Sequence, residues 1–273
     1  MNPQTILITG STDGIGRYTA IELAKKDNLL LLHGRNKEKL DKVVNEITAS
    51  TGNKNVEGFV ADFSSLDEVR GLAKEVLTKH DKINVLINNA GAGFAAPQYG
   101  KDGTELRLAV NYLAPFLLTY LLLPAIKKAA PARIVNVSSA GQSPIDFSDI
   151  MMEKNFDGVI AYCQSKLALI MFTIDLAEEL RNDNITVNAL HPGTYLDTNM
   201  VRDANIKPQG TAQSGADAEL YLATSSDLKS VTGKYFNVKK EARANSQAYD
   251  EEARNRLKQI TLTLTGLEKM VDK

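Results

Sequence analysis

Short apolar runs alternate with helical stretches along the chain. QTILIT (4–9), LLLLH (29–33), VEGFVA (56–61) and INVLIN (83–88) read as buried strands, as do RIVNVS (133–138), ITVNAL (185–190) and GKYFNV (233–238). Helical patterns lie between them at about 14–26, 36–48, 65–80, 103–128, 159–181 and 215–224. Strands that are apolar throughout are buried on both faces, and intervening helices supply the crossovers of a parallel sheet. The pattern predicts an α/β fold, a doubly wound Rossmann-type parallel sheet of about seven strands with helices on both faces. Residues 1–273 show no repeat, low-complexity linker or composition shift, so a single domain is expected. Two mixed, turn-rich stretches break the alternation, 140–158 and 194–214. Both leave the sheet at the carboxyl ends of strands, where ligands bind in open α/β sheets, and both are expected to wall a substrate pocket.

Composition narrows the class. With 43% hydrophobic and 24% charged residues the chain can build a core, which argues against disorder. Lys and Arg (32) balance Asp and Glu (33), leaving a formal charge of −1 and no global field to hold nucleic acid or an anionic membrane. The single cysteine, Cys163, excludes an intrachain disulfide, and His33, His80 and His191 are too dispersed for metal-ligand spacing. Redox work would therefore need an organic cofactor. The start, MNPQTILITG, lacks a signal-peptide pattern. The longest apolar stretch, 112–126, is interrupted by Pro115 and Thr119 and falls short of the roughly 20 residues that span a bilayer. No membrane span and a cytoplasmic location are expected.

The first strand runs into TGSTDGIG, which places Gly10, Gly14 and Gly16 at a strand-to-helix turn. Such a turn needs residues without a Cβ, and the helix N-terminus beyond it offers free N–H groups to a pyrophosphate. The spacing is G-x3-G-x-G rather than the commoner G-x-G-x-x-G. An NAD site usually carries an acid at the end of the second strand, but here the chain reads His33-Gly34-Arg35-Asn36. Arg35 suits a 2′-phosphate and no carboxylate repels it, which favours NADP(H) and leaves NAD(H) possible.

Tyr162 and Lys166 lie four apart on one face of a helix. A nearby ammonium would lower the phenol's pKa, so the pair could exchange a proton with a carbonyl or alcohol oxygen. Tyr-x3-Lys alone is a common surface pair. The serines at 138–139, at the end of the fifth strand, lift it, because a hydroxyl there can hold the substrate oxygen.

With these residues in view, the chain resembles the short-chain dehydrogenase/reductase family in its single-domain form over about 4–240. The motifs are TGSTDGIG (9–16), NNAG (88–91), NYLAPFLLT (111–119), RIVNVSS (133–139), YCQSK (162–166) and HPG (191–193). YCQSKLA, the LHPG run and GKYF (233–236) most resemble the retinol-dehydrogenase and carbonyl-reductase-like branch. The resemblance implies Tyr162 as general acid/base, Lys166 as the group that lowers its pKa and binds the nicotinamide ribose, and Ser139 as the group that polarises the substrate carbonyl. Asn111 would anchor a proton-relaying water. Gly10, Ser11, Thr12, Asp13, Gly14, Ile15 and Gly16 would cradle the phosphates, and Arg35 would meet the 2′-phosphate. Asp62 and Phe63 would touch adenine, and Asn89, Ala90 and Gly91 would line the cofactor, with Asn88 tying strands together. Pro192 and Gly193 would face the nicotinamide, and Thr194, Thr198 or both would bind its carboxamide.

Two departures from the family pattern stand out: a longer Ser139–Tyr162 interval, and one extra residue in PGTYLDT. The implied activity is NADP(H)-dependent interconversion of a small-molecule carbonyl, aldehyde or ketone, with an alcohol. Its rivals are a catalytically silent NADP(H)-binding regulator and a sugar-nucleotide epimerase or dehydratase. Family members often pair two long helices into a four-helix contact. The apolar runs LLTYLLL (117–123) and LALIMF (167–172) therefore predict a homo-oligomer, dimer or tetramer.

Overall fold

A computed structural model of the chain describes residues 3–93 and 98–268. Strand and helix alternate through β1 (Thr5–Ile8), α1 (Gly14–Ala24), β2 (Leu29–Gly34), α2 (Lys37–Thr51), β3 (Val56–Val60), α3 (Leu66–Lys79) and β4 (Val85–Asn88). A broken helix follows, in which α4 (Leu106–Leu108) passes through a π-helical turn (Ala109–Leu113) into α5 (Ala114–Lys128). Next come β5 (Ala132–Val137), α6 (Gly158–Glu179) and β6 (Ile185–His191). An excursion carries β7 (Leu196–Asp197), α7 (Asn199–Asp203) and β8 (Gly210–Thr211). Then follow α8 (Ala212–Thr224), β9 (Tyr235–Asn237), β10 (Lys240–Ala242) and α9 (Glu251–Thr265).

The large sheet runs β10-β9-β6-β5-β4-β1-β2-β3, parallel except for β10. All seven expected strands are present. β10 is an added antiparallel edge whose sequence, KEA, has no apolar pattern to announce it. Strand order reverses between β1 and β4, and Ile8 stands level with both Leu32 and Ile87, so the carboxyl ends of β2, β1 and β4 open on one crevice. Side chains alternate between two cores. Leu7 and Leu31 join the cluster under α3, α5, α6 and α9, while Ile6, Ile8, Leu30 and Leu32 join the one under α1, α2 and α8.

The structure bears on two expectations about the long helices. Leu106–Lys128 and Gly158–Glu179 are each long and apolar enough to cross a membrane by length and composition, contrary to the reading of a run that is too short. Both bury 72% of the relevant window inside the protein, as helices that flank a doubly covered sheet do. The apolar runs that suggested an oligomer are likewise spent within the chain. Leu117, Leu118, Leu122, Leu167, Leu169, Ile170 and Met171 are at most 1% exposed. Part of this face is covered by α9, which the apolar pattern did not reveal. Tyr112 and Thr261 hydroxyls bond at 2.7 Å, Arg254 Nε meets Asp175 at 2.6 Å, and Leu257 is 2% exposed. Most of the apolar surface behind the oligomer expectation is therefore used within the chain, with Tyr120 and Leu121 left half-buried.

Residues 140–157 have no regular structure but are anchored. Ile145 N donates to Gln247 Oε1 at 2.6 Å, Asn245 N donates to Gln142 Oε1 at 2.7 Å, and Ile145 and Met152 are buried. Asp157 ends the stretch as the N-cap of α6, accepting from the Val159 and Ile160 amides.

Candidate active site

The glycine turn is built against the loop after β4. Gly10 has φ 66°, and a Cβ there would stand 2.7 Å from Ala90 Cα, so no side chain fits. Thr9 Oγ1 accepts from the Asn89 and Ala90 amides at 3.0 Å each, and Asn89 Nδ2 returns bonds to the carbonyls of Thr9 (2.8 Å) and Gly10 (2.9 Å). Asn89 thus braces the turn with its side chain. A Cβ on Gly16 would meet that amide at 2.3 Å. Asn88 does tie strands, donating to Asn136 Oδ1 at 2.8 Å and Thr119 Oγ1 at 3.2 Å. The Asp13 side chain makes no capping bond to α1, whereas Asn36, Ser65, Asp157 and Thr211 cap α2, α3, α6 and α8. The first N–H groups of α1 therefore remain open to an anion.

Around this turn, Ser11 is buried, its hydroxyl donating to the His33 carbonyl at 3.2 Å. The Thr12 methyl sits against Gly34, and Ile15 against Gly215. Arg35 is exposed just beyond β2, with no ion pair or hydrogen bond found for its side chain among the described residues. Asp62 follows β3. Burial acts to raise its carboxyl, but the Ser64 amide at 3.0 Å and Lys101 at 3.5 Å outweigh that and hold it below the usual carboxylate range. Phe63 turns inward, 3% exposed and stacked on His33.

The four side chains singled out as a catalytic set in the sequence come from three elements. Ser139 stands just past β5, its Oγ accepting from the Gly141 amide at 3.0 Å, and Tyr162 on α6 hydrogen-bonds with it. Lys166, one turn on, donates to the Val137 carbonyl at 2.8 Å and lies 5.8 Å from the centre of the Tyr162 ring. Asn111 occupies the π-helical turn, a distortion common at functional sites. Its Oδ1 accepts from the Ala92 amide at 2.7 Å, and its Nδ2 donates to the Ala92 carbonyl at 3.1 Å and Ser165 Oγ at 2.9 Å. A Cβ on Gly91 would lie 3.4 Å from Asn111 Oδ1 and 3.6 Å from Lys166 Nζ, so loop, π-turn and α6 converge.

Charge among these side chains is set by burial. It pushes Lys166 down to about 8 against the opposing pull of Glu219. It pushes the Tyr162 phenol up, with the Ser139 hydrogen bond opposing. The expected lowering of Tyr162 is therefore not met in the protein alone: desolvation disfavours the phenolate more than its neighbours favour it.

After β6, Pro192 is buried and Gly193 has φ 144°. Thr194 Oγ1 pairs with His191 Nε2 at 3.1 Å, whereas the Thr198 methyl reaches the glycine turn, 3.0 Å from where a Cβ on Gly14 would stand. Three further residues enter the site that pattern reading missed. Ser165 joins Asn111 to the Tyr162 carbonyl, at 2.9 and 2.7 Å. Met200 on α7 packs against Gly91 and Gly93. Glu219 on α8 is fully buried and acts electrostatically on Lys166. Ser165 was visible inside YCQSK. The other two lie on elements whose place only the fold reveals.

The family model described as short chain dehydrogenase matches residues 4–209. The chain belongs to the short-chain dehydrogenase family. It is 36% identical over 282 residues to retinol dehydrogenase 13 of Mus musculus, covering 97% of this chain and 84% of that one. It is also 36% identical over 275 residues to retinol dehydrogenase 11 of Homo sapiens, covering 97% and 86%. A short chain dehydrogenase from Shigella flexneri 2a, solved in complex with NADP, superimposes with a TM-score of 0.71 at 28% identity, covering 87% of this chain and 98% of that one. This short-chain dehydrogenase is thus an oxidoreductase of the retinol-dehydrogenase-like branch that acts between carbonyl and alcohol with a nicotinamide cofactor. Its residues fit such a cofactor: the first N–H groups of α1, beside the glycine turn, carry no side-chain cap and can meet a pyrophosphate.

Proposed function

We propose that this short-chain dehydrogenase uses NADP(H) to interconvert a hydrophobic aldehyde or ketone with its alcohol, Tyr162 serving as general acid and base. The observation that carries the reading is the convergence of the Ser139 and Tyr162 hydroxyls beside Lys166 at the carboxyl end of β5. Two hydroxyls on one side can hold a carbonyl oxygen while the Tyr162 proton moves onto it. The nicotinamide, when bound, supplies or accepts the hydride. Lys166, held by Val137, faces the ribose, and Asn111 steadies the loop after β4 on which Ala90 and Gly91 line the cofactor. Arg35 meets the 2′-phosphate. Residues 10–16 cradle the pyrophosphate, Asp62 and the backbone of Phe63 border adenine, and Pro192, Gly193 and Thr198 flank the nicotinamide. The 140–158 and 194–214 stretches wall the substrate pocket.

Support for NADP(H) comes from the exposed Arg35 with no acid at the end of β2, and from the relative solved with NADP. The names of the retinol dehydrogenase relatives support a hydrophobic substrate. The presence of Asn111, Ser139, Tyr162 and Lys166 together weighs against a silent regulator. The test is oxidation of NADPH and NADH with a panel of aldehydes, ketones and quinones. Turnover with NADPH and apolar carbonyls is expected, and no turnover with any of them would favour the regulator.

A further inference from the structure

His33 joins two parts of the cofactor crevice through one ring. It is the fifth residue of β2, 3% exposed, between the glycine turn after β1 and the turn after β3. The Gly10 amide donates to its Nδ1 at 3.2 Å, so Nδ1 carries no hydrogen. Its Nε2 lies 2.9 Å from the Ala61 carbonyl, which can only accept, so Nε2 carries the hydrogen. The tautomer is thereby settled by two backbone groups, one on each side of the ring. The ring also stacks on Phe63, with centroids 4.2 Å apart and planes at 19°. Burial keeps it neutral, pushing its pKa down to about 4.

We infer that His33 is a positioning residue for the dinucleotide: it sets the distance and angle between the glycine turn and the 61–63 turn. This rests on the proposed cofactor reading, in which the first turn holds phosphate and the second borders adenine. Neither turn has another side chain joining it to the other among the described hydrogen bonds, and Gly10, lacking a side chain, relies on its backbone contacts. Loss of the ring bonds frees the half-buried Gly10 amide and removes the direct link between the two turns, leaving each held to β2 only by backbone bonds of Ser11 to His33 and of Ala61 to Gly34, and by the Ser11 hydroxyl. A ligand that bridges both turns should suffer, and one that touches only the adenine side should not.

The test compares NADPH with adenosine 2′-monophosphate, which lacks the pyrophosphate that the glycine turn is proposed to hold, by titration calorimetry on the full chain. His33→Phe keeps the stack and deletes both hydrogen bonds. It is expected to weaken NADPH about tenfold or more and the monophosphate less than about threefold. His33→Asn, whose Oδ1 can replace Nδ1 toward Gly10, should recover part of the loss. Equal weakening of both ligands would mark a general structural role and overturn the inference, as would unchanged NADPH affinity. Failure of the unmodified protein to bind NADPH would instead bring down the cofactor reading, and this inference with it. Nitrogen NMR of the unmodified protein supplies an arm that does not depend on a variant folding. It should show Nε2 protonated and Nδ1 bare at neutral pH, with the Gly10 amide responding to NADPH. The opposite tautomer would overturn the inference.

Discussion

Lys166 Nζ donates to the Val137 carbonyl at 2.8 Å, which fixes the lysine of α6 over the end of β5. The bond places a buried cation one helical turn from Tyr162 with a single heading. Tyr162→Phe should therefore remove the proton donor without disturbing the cofactor site. A fall in kcat/KM of roughly 100- to 10,000-fold is expected, with NADPH affinity kept within a few-fold. Lys166→Met should lower both turnover and cofactor affinity. Steady-state kinetics and binding titrations separate the two.

The direction of the Tyr162 shift predicts a pH asymmetry. Burial raises the phenol, and the Ser139 bond only partly opposes it, so the protonated form dominates at neutral pH. Carbonyl reduction, which consumes that proton, should proceed well near neutrality. Alcohol oxidation needs the phenolate and should climb as pH rises. Rate profiles in both directions check this, and an oxidation rate that falls with rising pH would contradict it.

Among the described residues the exposed Arg35 side chain beyond β2 makes no ion pair or hydrogen bond, so its removal breaks none there. Arg35→Ala is expected to weaken NADPH by about 1.5–3 kcal/mol, the range for a charge-assisted contact, and to leave NADH nearly unchanged. Equal losses for both cofactors would show that the arginine is structural.

Glu219 is fully buried: Oε2 accepts from Thr19 at 2.7 Å, while Oε1 has no hydrogen-bond partner among the described residues. Burial, opposed by Thr19 and Lys166, raises its carboxyl from 4.5 to about 8. The folded protein keeps a proton that the unfolded chain releases over this window, so this group's stabilising effect is lost as pH rises from about 4.5 to 8. Glu219→Gln, neutral at every pH, should match the parent near pH 5 and gain on the order of 1–3 kcal/mol over it near pH 8. Denaturant melts at both pH values decide, and a pH-independent difference would show that the carboxyl does not titrate there.

Cys163 neighbours Tyr162, which invites a redox role. It is 9% exposed, and burial raises its thiol despite a hydrogen bond with Ser143, so the reactive thiolate is scarce at neutral pH. Cys163→Ala should keep most of kcat/KM. A large loss would put the thiol in the pocket.

Seven parallel strands were legible because each is apolar throughout, a pattern that burial on both faces demands. The glycine turn, Ser139 and the Tyr162–Lys166 pair were legible because they depend on local spacing after a strand or along a helix. β10 and α9 were not. β10 is a three-residue edge, and the α9 stretch RLKQITLTLT carries no continuous apolar run, its Leu257, Thr261 and Leu262 being buried only because α6 and the π-turn lie beneath them.

The sequence by itself determined the groups that rest on short-range geometry: a glycine-rich strand-to-helix turn, an arginine in place of an acid, and a phenol and an ammonium on one helix face. Tertiary structure decided what those groups experience. Burial raised Tyr162 and lowered Lys166, α9 covered helix faces whose apolar runs had suggested an oligomer, and Thr198 rather than Thr194 reached the glycine turn. It also brought His33 between Gly10 and Ala61, and Glu219 within electrostatic reach of Lys166. Desolvation and long-range contact depend on what the rest of the chain places around a residue, which no local pattern contains.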